Sequence, residues 1–329
     1  MKPQLYLGII FALGWTGCVS DAPHENPLDP AIAGSNQLQI SGKVEHLNSS
    51  APVTEALLFL KPGNRVAQSD MNGIFNISGN IAPGPYTLVC KAEGFAADSL
   101  SFHVRQDTTV SFKLNALPAF ERISLTTDHE TTFLPPDNFF LNIDILASDV
   151  DALGNIELVW FDIPAIGHSD TLQELAAAQG QRFFKRIEAS DLRVNSLKEL
   201  IGKPLEFYAR DEQGAVAESG ERYLTRIIDD PPRPVAPINP PPQPPVSVPF
   251  HFEWEFISEP FHFDYAIEIY LNVPVALPPE AQISGIPADS TGYFFNPPSF
   301  SAGEYYWVLY IVDEFGNRSR SRQTVLTIE

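Results

Sequence analysis

Apolar and polar side chains alternate with period two along most of this sequence, the mark of strands that bury one face. Val110, Phe112 and Leu114 alternate with Thr109, Ser111 and Lys113. Phe250, Phe252, Trp254 and Phe256 alternate with His251, Glu253 and Glu255, and Phe263, Tyr265, Ile267 and Ile269 with Asp264 and Glu268. Two stretches are apolar on both faces. Ile156 to Ile163, around Trp160, reads as a central strand; in Tyr305 to Val312 the pattern alone does not fix which face is buried. Helical character is short, at Leu172 to Ala178 and at Ser196 to Ile201, the second stopped by Gly202 and Pro204. The pattern predicts an all-β chain.

Turn signals divide it. Residues 37–116 form a first predicted sandwich, in which Asp70-Met71-Asn72-Gly73 turns the chain; Asn72-Gly73 suits positive φ and Asp70 suits the turn amides. A second sandwich is expected over 117–229 and a third over 250–329. Between them, 230–249 holds ten prolines from Pro231 to Pro249. Proline donates nothing to a sheet ladder, so this stretch reads as a stiff linker, with an edge strand of the next domain around Val235 to Ile238. Asp211-Glu212-x-Gly214 and Asp313-Glu314-x-Gly316 each follow an aromatic-rich strand. Both glycines are expected at positive φ, in a terminal hairpin shared by the two domains.

Three resemblances follow from these motifs. Ile40-Ser41-Gly42-Lys43-Val44, Asp70 to Phe75, Gly84-Pro85-Tyr86-Thr87-Leu88 and Gly94-Phe95 stand in the order of the carboxypeptidase regulatory-like domain. That resemblance implies a transthyretin-like sandwich, an accessory module without catalytic residues. The second domain resembles an immunoglobulin-like sandwich. The third resembles a fibronectin type III-like module, with Trp254 as its core tryptophan and Tyr305 and Trp307 opening the penultimate strand.

The N-terminus adds a compartment. Lys2, the apolar run Leu5 to Trp15, then Gly17-Cys18 and a polar, proline-punctuated stretch follow the order of an export signal. The run falls short of the about 20 residues of a membrane-spanning helix. A small residue before a lone cysteine resembles the lipobox of bacterial lipoproteins, although Trp15 stands where that family prefers Leu. The resemblance implies a signal peptide over 1–18, acyl chains on Cys18, a tether over 19–36, and anchoring in a bacterial cell envelope. Val19 after the cysteine, in place of Asp, resembles outer-membrane sorting. The alternative is an ordinary signal cut after Ala22.

Charge and chemistry then narrow the function. The net charge of −20 opposes nucleic acids and anionic lipid surfaces. Cys18 and Cys90 are the two cysteines, so no disulfide framework is expected, and Cys90, alternating with Tyr86 and Leu88, reads as a buried, inert thiol. None of the seven histidines has zinc-protease spacing, and no nucleophile elbow or phosphate loop occurs. No catalytic residue and no cofactor is assigned. Asp149, Asp151 and Asn155 are the candidates for a metal, Ca²⁺ by their oxygen chemistry. An EF-hand is excluded by Leu153 at position five and Trp160 at position twelve, and the competing explanation is an Asx turn. The expectation is a non-enzymatic, envelope-anchored surface lipoprotein that presents β-sandwich modules for structural support or for binding a protein or glycan partner. The alternative is an accessory subunit of a carbohydrate- or protein-processing system whose catalytic chain is separate.

Overall fold

The computed structural model describes residues 38–151, 155–177, 180–237, 245–297 and 300–329. The expected signal peptide, Cys18 and the tether lie outside the described residues, as do 152–154 and the proline stretch 238–244. The protein is all-β, and the chain divides into two compact units, the second running on from Asn115 to Glu329.

The first unit comprises β1 (Ile40–His46), β2 (Leu57–Lys61), β3 (Arg65–Gln68), β4 (Ile74–Ile77), β5 (Gly84–Lys91), β6 (Asp98–Val104) and β7 (Thr108–Leu114). One sheet has the order β4-β1-β7, with β1 and β7 parallel; the other has the order β3-β2-β5-β6. Ile40, Val44, Phe75, Ile77, Phe112 and Leu114 from the first and Leu58, Leu60, Leu88 and Cys90 from the second are buried. Gly42 has a steric reason. It lies opposite Phe75 on β4 and Val110 on β7, and a Cβ there would come 1.7 Å from the Val110 carbonyl oxygen and 2.8 Å from the Phe75 ring. In the hairpin before β4, Asp70 Oδ1 accepts the Asn72 and Ile74 amides at 2.8 Å each. Gly73 takes φ +74° there, whereas Asn72 is not among the positive-φ residues. The turn is therefore a type I turn closed by one left-handed glycine.

The second unit begins with β8 (Ala119–Glu130), β9 (Asn138–Ser148), β10 (Ile156–Ile163), β11 (His168–Thr171), β12 (Gln173–Leu175), β13 (Gln181–Glu188), β14 (Pro204–Asp211) and β15 (Val216–Tyr223). It continues with β16 (Pro234–Ala236), β17 (Phe250–Trp254), β18 (Phe263–Leu271), β19 (Ala281–Pro287), β20 (Gly292–Phe295), β21 (Gly303–Asp313), β22 (Arg318–Arg320) and β23 (Thr324–Ile328). Ser196 caps a 3₁₀ turn at Leu197–Leu200, where short helical character was expected. The other expected helical stretch, Leu172 to Ala178, differs over Gln173–Leu175: β12 pairs with β13, so sheet pairing overrides the local helical pattern, while Ala178 lies outside the described residues. Pro234–Ala236, at the start of the proline-rich stretch, is an edge strand on β17.

The unit has two hydrophobic cores. Leu141, Ile143, Ile145, Val159, Phe161, Phe183, Leu205 and Phe207 belong to the first; Phe252, Trp254, Tyr265, Ile267, Trp307, Leu309 and Ile311 belong to the second. Chain passage between them is abrupt, since Ile227 packs in the first and Ile228 in the second. The register of β21 is now fixed: Tyr305, Trp307, Leu309 and Ile311 face the core, and Tyr306, Val308, Tyr310 and Val312 the opposite side. Phe256, which continues the apolar alternation of β17 in sequence, lies beyond the strand end and is exposed.

These cores do not sit in separate pairs of sheets. One sheet runs β12-β13-β9-β8-β22-β21-β18-β19, with β23 also on β21. The sequence divides 117–229 from 250–329, and this sheet passes through both. The joint is β22, which pairs parallel to β8 in the register Arg318–Asp128, Ser319–His129 and Arg320–Glu130.

Candidate functional site

Three constellations carry the unit's polar chemistry: the sheet joint, the loop around Asp149, and the open face of the sheet β11-β10-β14-β15.

At the joint, side chains repeat the strand register as ion pairs. Arg318 holds Asp128 with two bonds, Nε at 2.8 Å and a terminal nitrogen at 3.0 Å. Arg186 on β13 reaches Asp128 at 3.2 Å and Glu130 at 2.5 Å, and Arg320 reaches Glu130 at 3.1 Å. Asp128 is 3% exposed. Burial opposes its ionisation, but the hydrogen bonds and charge of Arg318, the charge of Arg186 and the Asn142 amide outweigh it, and its pKa lies below the ordinary carboxylate value. One turn away, Asn317 is fully buried, accepts the Thr127 amide at 2.9 Å and donates to Asp313 at 2.9 Å. Arg226 closes this layer on Asp313 at 2.8 Å, with its guanidinium over the Phe261 ring.

The joint also brings a serine, a histidine and an aspartate together, which the sequence did not announce. Ser319 Oγ lies 3.1 Å from His129 Nδ1, and His129 Nε2 lies 3.2 Å from Asp137 Oδ2. Ser319 has no exposed surface, and His129 is stacked on Phe139 at 4.2 Å. A nucleophile must meet its substrate. This hydroxyl is sealed inside the sheet joint, so the relay orients buried side chains and offers no site for attack.

The candidate metal residues lie together in one loop. Asp149 Oδ1 accepts the Asp151 amide at 2.8 Å, an Asx turn, and its Oδ2 accepts the Asn155 side-chain amide at 3.2 Å. Asp151 accepts the Ala116 amide at 2.6 Å. Burial, joined by the charges of Asp151 and Asp211, raises the Asp149 pKa despite these bonds. The intervening 152–154 lie outside the described residues. Among the described residues no group of three or more His, Cys, Asp or Glu side chains is arranged to hold a metal ion. Cys90, expected as a buried free thiol, is unpaired and fully buried, and burial followed by the Asp98 charge pushes its pKa up to about 11.

The third constellation is an aromatic pair. Val159, Phe161 and Ile163 of β10 enter the core, which leaves Leu158, Trp160 and Asp162 on the outer face. Tyr208 lies opposite Trp160 on β14, and the two rings stack at 5.1 Å and 13°. Tyr208 donates to Glu206 at 2.9 Å; that bond, with burial and the charges of Glu206, Glu218 and Asp162, pushes the phenol up to about 12. A depression of about 430 Å³ beside the indole is lined by Leu158, Trp160, Ser169, Asp170, Thr171 and Arg210. Trp160 stands in a strand that is central in its sheet, as the run apolar on both faces predicts, but period-two alternation carries no sign that this face stays open.

No protein-family model and no curated protein matches the chain. Among solved structures, a DUF3823 family protein from Bacteroides ovatus is similar at 14% identity, covering 56% of this chain and 97% of that one with a TM-score of 0.26. BcpA, the major pilin subunit of Bacillus cereus, is similar at 10% identity over 89% of this chain and 95% of its own, with a TM-score of 0.30. The FN1–FN3 domains of chicken CNTN1 are similar at 10% identity, covering 85% of this chain and 92% of that one with a TM-score of 0.26. Likenesses this weak assign neither family nor function.

Proposed function

We propose that this is an exported, non-enzymatic surface protein of a bacterial cell envelope. Acyl chains on Cys18 hold it to the membrane, and its β-sandwiches present a rigid binding surface. The observation that carries this role is the sheet joint. Asp128, Glu130, Arg186, Arg318 and Arg320 weld two sandwiches into one sheet, in a place without substrate access. Such a joint suits a body that must hold its surfaces in fixed relation. The Gly17-Cys18 motif and the regulatory-like motifs of the first sandwich support the same role, as does the lack of catalytic spacing among the histidines. No bound metal is required.

The full mature chain tests it. Mass spectrometry of protein from native membranes should find acylated Cys18, since stable anchoring takes two lipid signals; an unmodified terminus at Pro23 rejects the anchor. A soluble Cys18→Ser chain should be retained by isolated cell envelopes and turn over no sugar or peptide polymer. Turnover of any such polymer overturns the non-enzymatic role, and a rise in thermal midpoint with added Ca²⁺ overturns metal independence.

A further inference from the structure

We propose that the outer face of β10 and β14, around Trp160 and Tyr208, binds a neutral glycan chain; this rests on the binding role above and names its ligand class.

Four observations lead there. First, aromatic surface is held on a face that lacks a covering layer of its own unit: Trp160 and Tyr208 lie outside the core, partly exposed, and form a stacked wall beside a depression of about 430 Å³. That volume falls in the range of small-ligand sites. Secondly, the indole N–H is available. Trp254 donates to the Ser290 carbonyl at 2.9 Å and Trp307 to the Pro237 carbonyl at 3.0 Å, while among the described residues nothing accepts from Trp160. Indole nitrogen is a donor only, so this one, open to solvent, can donate to a ligand acceptor. Thirdly, acceptors surround the rings. Asp162 stands two residues along the same strand face, Glu218 lies opposite Tyr208 on β15, and Glu206 holds the Tyr208 hydroxyl. Asp162 and Glu218 have no ion-pair partner among the described residues. Fourthly, Ser169 and Thr171 on the edge strand β11 add hydroxyls, with Thr171 opposite Trp160.

The chemistry of these groups selects one ligand class. A pyranose ring offers an apolar face of C–H groups and a rim of hydroxyls. The C–H face suits the aromatic wall, and the hydroxyls donate to the carboxylates and accept from the indole. The two charged residues that line the depression are already paired, Asp170 with Lys185 at 2.6 Å and Arg210 with Glu157 at 3.0 Å, and the carboxylates of Asp162, Glu206 and Glu218 on the same sheet face oppose an anionic ligand. A protein partner would need donors placed against each of these carboxylates, whereas the hydroxyl rim of a sugar supplies donors all round its ring. Because the depression is shallow and open along the sheet, it fits a chain lying across the strands.

The mature Cys18→Ser chain is titrated with cellohexaose, xylohexaose, mannohexaose and chitohexaose, and with polygalacturonate as the anionic comparison. Tryptophan fluorescence and calorimetry report binding. The expected result is saturable binding of at least one neutral hexasaccharide with a change in indole emission, and none of polygalacturonate. Trp160→Ala should weaken it by about tenfold or more, the equivalent of about 1.4 kcal/mol. Thr171→Arg, on an exposed edge strand away from the core, should block the depression to a similar degree and serves where Trp160→Ala does not fold. Absence of binding to every neutral hexasaccharide overturns the proposal. So does binding that both substitutions leave unchanged, or preference for polygalacturonate. Retention on isolated envelopes by a chain that binds no neutral hexasaccharide overturns the glycan assignment while leaving the wider binding role in place.

Discussion

At the scale of single residues, one device recurs three times. Asp70, Asp211 and Asp313 each accept the amide four residues ahead at 2.8 Å, and each precedes by three a glycine at positive φ: Gly73 at +74°, Gly214 and Gly316 at +88°. A side chain at such an angle is strained. Gly214→Ala and Gly316→Ala should each destabilise the fold by more than about 1 kcal/mol in denaturant unfolding, where a neutral or stabilising result at both would reject the hairpin argument. Gly73→Ala should cost most, because its Cβ would also meet the Val44 carbonyl oxygen at 2.4 Å. Cys90 offers a second residue-scale test. With its pKa pushed up to about 11 and no exposed surface, it should label slowly with a polar thiol reagent in the folded protein. Cys90→Ser should cost roughly 1–3 kcal/mol, by burying a hydroxyl without a designed partner.

At the scale of elements, period-two alternation made the strands legible, because it reports which face is buried. It says little about what lies beside a strand. The alternation of β10 correctly sends Val159 and Phe161 inward, yet whether Leu158 and Trp160 are covered depends on layers that no local pattern encodes. The same limit hid the joint. Asp128-x-Glu130 and Arg318-x-Arg320 are complementary charges at the strand period, a usable signal, but they stand 190 positions apart and the short β22 reads as a polar turn. The candidate residues Asp149, Asp151 and Asn155 were visible because they are local; the Trp160–Tyr208 pair was not, because its partner comes from β14. The joint makes a measurable claim. Arg318→Leu leaves Asp128 buried with Arg186 as its only cation and the Asn142 amide, and should cost about 2–4 kcal/mol, somewhat below the about 3–5 of a fully buried pair because the Arg318 side chain is partly exposed. Combining it with Asp128→Leu should cost much less than the sum of the single substitutions, since both charges then leave together. Additive costs in that double-mutant cycle would show that the pair is not coupled.

At the scale of the molecule, the question is whether the second unit behaves as one body or two. It has two cores, and each alone resembles an ordinary sandwich domain. Separate cores favour separate melting; a shared sheet with a buried ionic joint opposes it. The joint includes the parallel β8–β22 ladder, the Asp128 and Glu130 ion pairs and the buried Asn317. Opening it would expose a strand edge and strand buried charges, so joint and cores should unfold together. Calorimetry at neutral pH should therefore show one transition for residues 115–329, and Arg318→Ser with Arg320→Ser should split it in two. Two transitions in the unaltered chain would mean that the joint is a contact between independent domains. Acid supplies a check that needs no substitution. The Asp128 pKa is lower in the folded chain than in the unfolded one, so its ionised form stabilises the fold. That contribution is complete above the unfolded carboxylate value of about 4, and is lost as the pH falls through the lower, folded value. Below about pH 4 the single transition should weaken and divide, with the joint failing before either core. Asp128→Asn should lower the neutral-pH midpoint and flatten this acid limb, which a purely packing-held interface would not do.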